Sequence, residues 1–277
     1  MTKIKWLGKI ARDSHKGQGI TIMTEEAIKD LLEEYEYGAK CAEKSTKLEE
    51  SYLVQSFIQN PFLIKGRKFD FRVFLSVANL DPFIVLYHDG FVKIAFEEWD
   101  EDSSDWNTLI ASLSATQENQ KGKGMSNSEV LSEVKWTMQE FEDYLVSEGK
   151  VEKGWLKNSL RVTMRKAMMH LMRMTSHDFL KHPDLFCYFG VDFLLDDDLH
   201  MWFLEIVDQP GLLGKTPAMD KVVDETFSNF IDMQVALVHD NWELFDKIVD
   251  RSDFEWVIDE RKTGEARYAG LLEPECF

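Results

Sequence analysis

Two acidic residues interrupt two apolar, strand-like segments that are joined by a short polar turn. Asp192 lies within residues 188–195 and Glu205 within residues 201–207. The turn at 197–198 makes the two segments antiparallel neighbours and places the two acids nearly opposite each other. Burial of two carboxylates among aromatic and aliphatic side chains costs several kcal/mol unless a cation or hydrogen bonds compensate. The chain must therefore form a sheet with a compensating group beside this hairpin.

Two kinds of cation are open as the compensating group. Carboxylate oxygens suit Mg²⁺, which binds one or two carboxylates and completes its shell with water and phosphate oxygens. A nearby arginine or lysine would instead neutralise the acids in an ion pair. The metal interpretation is favoured, so Asp192 and Glu205 are predicted magnesium ligands.

A second charged strand is predicted in the sequence GRKFDFR, residues 66–72. Lys68, Asp70 and Arg72 alternate with apolar residues, which is the period of a strand with one charged face. Two cations with an acid between them suit the recognition of phosphate oxygens. A solvated strand face with local ion pairs is the alternative.

Strand-like and helix-like patterns follow each other without regular β–α–β alternation, which favours an α+β fold. An antiparallel meander is predicted across residues 51–96, with turns at Asp81–Pro82 and at residues 88–90. The predicted helices span about residues 24–37, 128–148, 157–175 and 217–250. Residues 251–277 are predicted to be a charged tail.

Charge and composition exclude several classes of partner. The 277 residues contain 32 Lys and Arg against 50 Asp and Glu, a formal net charge of −18. Such a surface repels nucleic-acid backbones and anionic membranes. The sequence has no apolar run that predicts a membrane span or a signal peptide. With three widely spaced cysteines, the chain is expected to be cytoplasmic with reduced thiols, and to bind neither nucleic acid nor membrane.

A glycine-containing loop between two short predicted strands is a candidate phosphate-binding element. Gly17 and Gly19 would let backbone N–H groups approach oxygen atoms closely, and Lys9 or Lys16 would supply a cation. An ordinary β-hairpin with glycines in its loop is the alternative.

One predicted helix has a basic face in this otherwise acidic chain. Lys157, Arg161 and Arg165 recur at four-residue spacing and form a cationic stripe. The stripe would bind the acidic tail of an acceptor protein. The alternative is that these cations pair with the protein's own surplus carboxylates.

The order of these motifs resembles that of the tubulin–tyrosine ligase-like family of ATP-grasp amino-acid ligases. The co-linear stretches are WLGK…KGQGI (6–20), VQSFIQNPFLIKGRKFDFRVFLSV (54–77), LYHDGFVKIA (86–95) and FGVDFLLDDDLHMWFLEIVDQPGL (189–212). The resemblance implies an ATP-grasp-like fold of antiparallel sheets with flanking helices, lacking the usual N-terminal domain. It also implies a partial central lobe at 1–58 that includes the phosphate-covering loop, and a C-terminal lobe at 59–250 that includes the metal-binding hairpin.

The resemblance also implies an activity and a role for each matching residue. ATP would phosphorylate a protein carboxylate, and a free amino acid would then attack the acyl phosphate, as in tyrosination, glutamylation or glycylation. ATP and Mg²⁺ are the implied cofactors. Tubulin, or another protein with an acidic tail, is the implied partner, at microtubules or cilia. The implied ATP-binding residues are Lys9, Lys16, Gly17 and Gly19 at the phosphates and Gln55, Phe57 and Ile58 at the adenine; Lys68, Asp70, Arg72 and Lys93 are the implied catalytic residues.

Three departures from the family pattern bear on activity. Val207 occupies the position of an asparagine that would bind the metal, and valine cannot coordinate an ion. Lys93 replaces an arginine, which keeps the charge but loses the two-pronged geometry. Residues 112–115 lack two polar side chains that the family carries. The alternative to a ligase is therefore a catalytically impaired protein that still binds nucleotide and tubulin.

Overall fold

The computed structural model describes residues 5–10, 20–40, 52–100, 134–182, 185–208, 210 and 217–272. Helices and antiparallel strands are mixed in these residues, as the predicted α+β class requires. Lys16, Gly17 and Gly19 of the predicted phosphate loop lie outside them, as do residues 112–115. No helix in the described part of the chain is both long enough and apolar enough to cross a membrane.

The strands and helices are numbered here in chain order. The strands are β1 (Trp6–Ile10), β2 (Ile20–Met23), β3 (Tyr52–Ser56), β4 (Leu63–Ile64), β5 (Arg67–Leu80), β6 (Phe83–Ile94), β7 (Lys135–Thr137), β8 (Cys187–Leu195), β9 (Met201–Val207) and β10 (Glu255–Asp259). The α-helices are α1 (Glu25–Lys40), α2 (Met138–Ser147), α3 (Arg161–Thr175), α4 (Pro217–Val238) and α5 (Trp242–Arg251), with a π-helical turn at Leu156–Leu160 and a 3₁₀ turn at Gly264–Tyr268.

The described residues divide into two compact units. The first consists of those within 1–68, 95–124 and 196–198, and the second of those within 69–94, 125–195 and 199–277. The first unit contains an antiparallel sheet in the order β2–β1–β3. It also contains β4, which pairs with the first two residues of β5. This unit therefore continues past the predicted lobe boundary at residue 58.

The second unit is built on an antiparallel sheet in the order β10–β6–β5–β8–β9, with β7 paired to β6. Successive side chains of β5 point to opposite faces of this sheet. One face carries Asp70 and Arg72, and further along it carries Ala78, which belongs to an apolar cluster with Phe230 of α4 and Phe245 of α5. This face of β5 is therefore polar at its beginning and apolar where α4 and α5 cover it.

The predicted turn at residues 88–90 is wrong, because β6 runs without interruption from Phe83 to Ile94. The pairing of β6 with β5 instead shifts register there: Arg72 is opposite Phe91 and Phe74 is opposite His88. A Cβ at Gly90 would lie 2.0 Å from the carbonyl oxygen of Arg72. The glycine therefore serves a β-bulge with a close backbone approach.

The predicted helix at 217–250 is two helices, α4 and α5. Asn241 caps the second helix, because its side chain accepts a hydrogen bond from the N–H of Leu244 at 3.0 Å. Asp240 before it has φ of 51°, a left-handed conformation that helical periodicity does not reveal.

The other two C-terminal helices differ less from prediction. Residues 128–133 of the helix predicted at 128–148 lie outside the described residues, and residues 135–137 form strand β7. Helix α2 begins at Met138, where Thr137 and Glu140 form a capping box. The helix predicted at 157–175 is confirmed as the π-helical turn followed by α3.

Residues 251–277 were predicted as a tail, but within the described part of this stretch, which ends at residue 272, β10 pairs with β6 in the large sheet. Arg261 anchors this region. Its guanidinium donates to Asp259 at 2.8 Å and to Asp246 at 2.8 Å, and it lies 4.7 Å from the centre of the Trp242 ring. Ion pairs and a cation–π contact therefore hold the strand in place.

We expect Arg261→Ala to lower the free energy of unfolding by about 2 kcal/mol, because the buried Asp259 then keeps only Lys262, 3.3 Å away, as an ion-pair partner. Urea denaturation measures this loss. Arg251→Ala is the matched control, since Arg251 is exposed and lies 3.4 Å from Asp232, and its cost should stay within about 0.5 kcal/mol. Equal costs for the two variants would contradict the anchor.

His88 is buried between β6 and α4, where its Nδ1 lies 3.1 Å from the hydroxyl of Thr226. Burial lowers the pKa of His88 from 6.5, so the folded state keeps the ring neutral. The unfolded chain then binds more protons as the pH falls below about 6.5. We expect the free energy of unfolding to decrease between about pH 7.5 and pH 5.5, and His88→Gln to flatten this slope. His170→Gln, at an exposed position, is the control and should show the same pH dependence as the wild type. The same dependence in His88→Gln would refute the assignment of the slope to His88.

Candidate functional site

Two rows of paired residues place charged side chains on one face of the large sheet. In the first row, Lys135 of β7 pairs with Lys93 of β6, which pairs with Asp70 of β5. In the second row, Arg72 of β5 pairs with Asp192 of β8, which pairs with Glu205 of β9. Directly paired residues point to the same face, and the two rows are two residues apart along β5. We call this set the polar face: Asp70, Arg72, Lys93, Lys135, Asp192 and Glu205.

Asp192 is the centre of the polar face. Its carboxylate accepts hydrogen bonds from Nε and Nη2 of Arg72, the latter at 3.0 Å, and from Nζ of Lys93 at 2.8 Å. Burial raises the pKa of Asp192, but Lys93 and Arg72 outweigh burial and lower it to about 2. Asp192 is therefore ionised at neutral pH and bound by two cations.

Asp70 and Lys93 complete a network of four charges. Nζ of Lys93 lies 2.8 Å from Oδ1 of Asp70 as well as from Asp192. Burial raises the pKa of Asp70, and Lys93 opposes that rise. Burial also lowers the pKa of Lys93, but Asp192 and Asp70 outweigh it, so the ammonium form is kept. The predicted catalytic residues Asp70, Arg72 and Lys93 are thus in one network, which local ion pairing holds together.

Burial of the two carboxylates does not require a metal ion in this hairpin. The register of Asp192 and Glu205 is as predicted, but Glu205 is exposed and the cations beside Asp192 are side chains. The described residues contain no group of three or more His, Cys, Asp or Glu that could hold a metal. Val207 pairs with Gly190 at the end of β9 and offers no donor. Glu205, which has no ion-pair or hydrogen-bond partner among the described residues, fits a metal ligand, whereas the carboxylate of Asp192 is already bound by two cations. Magnesium binding by the two stays a prediction.

Lys68 lies in the first unit, among aromatic side chains. Its Nζ is 5.0 Å from the centre of the Phe57 ring and 5.5 Å from that of Trp99. The two rings stack with centres 5.9 Å apart. Phe57 is therefore buried beside a cation, while Gln55 lies half-buried in β3 and Ile58 follows that strand. The roles predicted for these residues in ATP binding stay predictions.

Lys9 lies on β1, the middle strand of the small sheet. It pairs with Ile20 of β2 and with Leu53 of β3, and its side chain is half-buried. Because the loop after β1 lies outside the described residues, the prediction that Lys9 contacts phosphates stays a prediction.

Arg161 and Arg165 donate hydrogen bonds to oxygen atoms of the protein itself. Arg161 donates to both carboxylate oxygens of Asp89, and Arg165 donates to Glu255 at 2.7 Å and to the carbonyl oxygen of Trp256. The structure thus follows the alternative in which these cations meet the protein's own carboxylates. Binding of an acceptor tail by this stripe stays a prediction, and it would have to compete with these contacts.

Sequence reasoning missed two residues of the polar face and its surroundings. Lys135 was hidden because a helical pattern extended over its strand. Gly190 is opposite Phe74 in the pairing of β8 with β5, and a Cβ there would lie 2.8 Å from Cδ of Arg72. The glycine therefore leaves the space that the Arg72 side chain occupies, and an isolated glycine inside a strand was the available signal.

Comparison with known proteins assigns the family. The family model described as "Tubulin-tyrosine ligase family" matches residues 5–241. The chain is 28% identical over 188 residues to "Inactive polyglycylase TTLL10" of Homo sapiens, covering 65% of this chain and 27% of that protein. It is 30% identical over 190 residues to "Protein polyglycylase TTLL10" of Macaca fascicularis (65% of this chain, 29% of that protein), and 31% identical over 175 residues to "Probable tubulin polyglutamylase TTLL9" of Rattus norvegicus (60% and 35%).

The chain therefore belongs to the tubulin-tyrosine ligase family, and the resemblance read from its motifs is confirmed. The matches to these three relatives cover between 27% and 35% of their lengths.

We expect Asp192→Asn to lower the free energy of unfolding by about 3 kcal/mol, because it leaves Arg72 and Lys93 buried with one carboxylate fewer. Glu205→Gln is the control on the same hairpin and should change stability by less than about 0.5 kcal/mol. Urea denaturation with and without EDTA measures both, and EDTA should not move the wild-type curve. If Asp192→Asn costs no more than Glu205→Gln, the ion-pair network does not stabilise the sheet.

Proposed function

We propose that the chain is an ATP-dependent ligase that adds an amino acid to a protein carboxylate. The observation that carries the proposal is the network of Arg72 and Lys93 with Asp70 and Asp192 on one face of the sheet. The two acids hold the two cations in fixed positions, from which charged N–H groups can be directed at oxygen atoms that gain negative charge. Membership of a family of ligases supports the same activity.

The proposed reaction has two steps. A carboxylate oxygen of the acceptor attacks the γ-phosphorus of ATP, so that a P–O bond forms and ADP leaves. The neutral amine of the amino acid then attacks the acyl carbon, phosphate leaves, and the nitrogen loses a proton to form an amide. Both steps develop charge on phosphoryl oxygens, which Arg72 and Lys93 would stabilise. Asp70 would orient Lys93 through their ion pair.

The ATP-grasp fold and the ATP contacts of the first unit belong to the same proposal. Lys9 and Lys16, with Gly17 and Gly19, are proposed to contact the phosphates, and Gln55, Phe57 and Ile58 to face the adenine. Lys68 is proposed to act as a further phosphate cation. Mg²⁺, when bound, would neutralise phosphate charge, with Glu205 as the available carboxylate on β9.

Tubulin is the proposed acceptor, at microtubules or cilia. One relative is named a probable tubulin polyglutamylase, and "Tubulin glycylase 3A" of Drosophila melanogaster is 24% identical over 231 residues, 83% of this chain and 22% of that protein. Glutamate and glycine are therefore proposed amino-acid substrates beside tyrosine.

A catalytically impaired protein that binds nucleotide and tubulin is the second candidate. Val207 favours it, because the side chain near Glu205 on β9 supplies no oxygen or nitrogen to a metal. The human relative, which is named an inactive polyglycylase, also favours it.

Transfer of radiolabelled glutamate, glycine or tyrosine to purified tubulin tests the ligase. We expect label transfer by the wild type, a rate roughly a hundredfold lower in Arg72→Lys, because lysine loses the two-pronged contact, and a higher rate in Val207→Asn. Arg251→Lys is the control and should keep the wild-type rate. Calorimetry with ATP accompanies the assay: binding of ATP without transfer by the wild type or Val207→Asn would favour the second candidate, and no binding would remove both.

A further inference from the structure

Lys135 is a buried amine that the network of the polar face does not use. It is 4% exposed, and its Nζ has no hydrogen-bond partner among the described residues. The nitrogen lies 4.0 Å from the centre of the Phe91 ring. A buried donor without a partner costs free energy, so its presence beside four charged side chains calls for an explanation.

The buried network of Arg72, Lys93, Asp70 and Asp192 is already balanced in charge without Lys135. Arg72 and Lys93 are positive, Asp70 and Asp192 are negative, and each cation contacts at least one of the acids. Burial lowers the pKa of Lys135 well below 10.5, and the positive charge of Lys93 lowers it further. Both effects favour the neutral amine form of Lys135 over the ammonium form.

The helices that neighbour β7 do not supply the missing partner. On α2, Glu142 accepts hydrogen bonds from the N–H groups of Gly154 and Leu156 at 3.0 Å and 2.8 Å. On α4, Asp220 and Lys221 are exposed. The charges that act on Lys135 come from the sheet, namely from Lys93, Asp70, Arg72 and Asp192.

We propose that Lys135 is a positioning residue that becomes an ammonium when an oxyanion binds at Lys93 and Arg72, and that it then neutralises Asp70 in place of Lys93. The oxyanion is a phosphoryl group or a carboxylate. The inference rests on the proposed function, because that function supplies the oxyanion as the ligand.

The row geometry supports this exchange of partners. Lys93 stands between Asp70 and Lys135 in the first row. Oδ1 of Asp70 forms an ion pair with Lys93 at 2.8 Å, yet it accepts no well-directed hydrogen bond, because Lys93 directs its hydrogen bond to Asp192. An anion that draws Lys93 toward itself leaves Asp70 uncompensated. One proton taken from solvent by the lone pair of Nζ of Lys135 forms an N–H bond and restores the balance, and no other bond changes.

Calorimetric titration with sulfate and, separately, with acetate tests the proposal at about pH 8. Sulfate stands for a phosphoryl group and acetate for a carboxylate, and neither titrates at this pH, so any proton taken up goes to the protein. Titration in two buffers of different ionisation enthalpy gives the number of protons. We expect the wild type to take up protons, up to about one per bound anion, when it binds sulfate, acetate or both.

Lys135→Met should abolish the proton uptake and weaken anion binding about tenfold or more, because one charge-assisted contribution is lost. Lys135→Gln is a second variant that keeps a polar group without a titrating one, and it should behave alike. Lys150→Met, at an exposed lysine, is the matched control and should keep the wild-type proton number. Thermal melting of each variant confirms that it is folded.

An equal proton number in wild type and Lys135→Met overturns the proposal, and so does the absence of binding of both anions to the wild type. These outcomes are separate from the ligase assay. ATP binding or label transfer with an unchanged proton number would leave the proposed function standing and remove only the role of Lys135. Proton uptake that depends on Lys135, without label transfer, would support the role of Lys135 and count against the ligase activity.

Discussion

The carboxylate of Asp192, held by Arg72 and Lys93, is the interaction on which the polar face depends. It joins three strands through side chains: β8 supplies the acid, and β5 and β6 supply the cations. Such a buried network is stable only when every charge is matched, since removal of one member leaves another buried and unpaired. Gly190 serves this network because it leaves room for the Arg72 side chain, whereas Gly90 allows the close backbone approach of the nearby β-bulge.

Much of the fold could be predicted from the sequence, where periodicity was local and strong. The hairpin of β8 and β9, the register of Asp192 with Glu205, and helix α3 follow from apolar spacing and a short turn. Errors arose where one residue changed the outcome. Gly90 serves a bulge instead of a turn, and the left-handed Asp240 separates two helices whose apolar pattern continues across the break. The pairing of β10 depends on contacts with residues far away in sequence, which no local pattern reveals.

The candidate site was predicted less completely than the fold, because the ion pairs in it depend on which strands are neighbours. Asp70, Arg72 and Asp192 could be identified because charges within apolar strands are conspicuous, whereas Lys93 was identified only through the family resemblance. It could not tell which cation each acid meets, since that depends on the order of β6, β5 and β8 in the sheet. The preference for magnesium over an ion pair treated Glu205 as buried, whereas it is exposed at a strand that has one partner among the described strands. Lys135 became visible only when β7 was seen beside β6.

The position of β10 has a consequence for how the chain folds during synthesis. Residues 255–259 pair with residues 84–87, so this part of β6 has no partner on that side until β10 has been synthesised, although β7 pairs with residues 91–93 on the same side earlier. An unpaired edge with apolar residues attracts other strands, and pairings between distant segments form slowly. Until β10 is available, residues 84–87 therefore form an apolar strand edge at which the nascent chain can pair incorrectly.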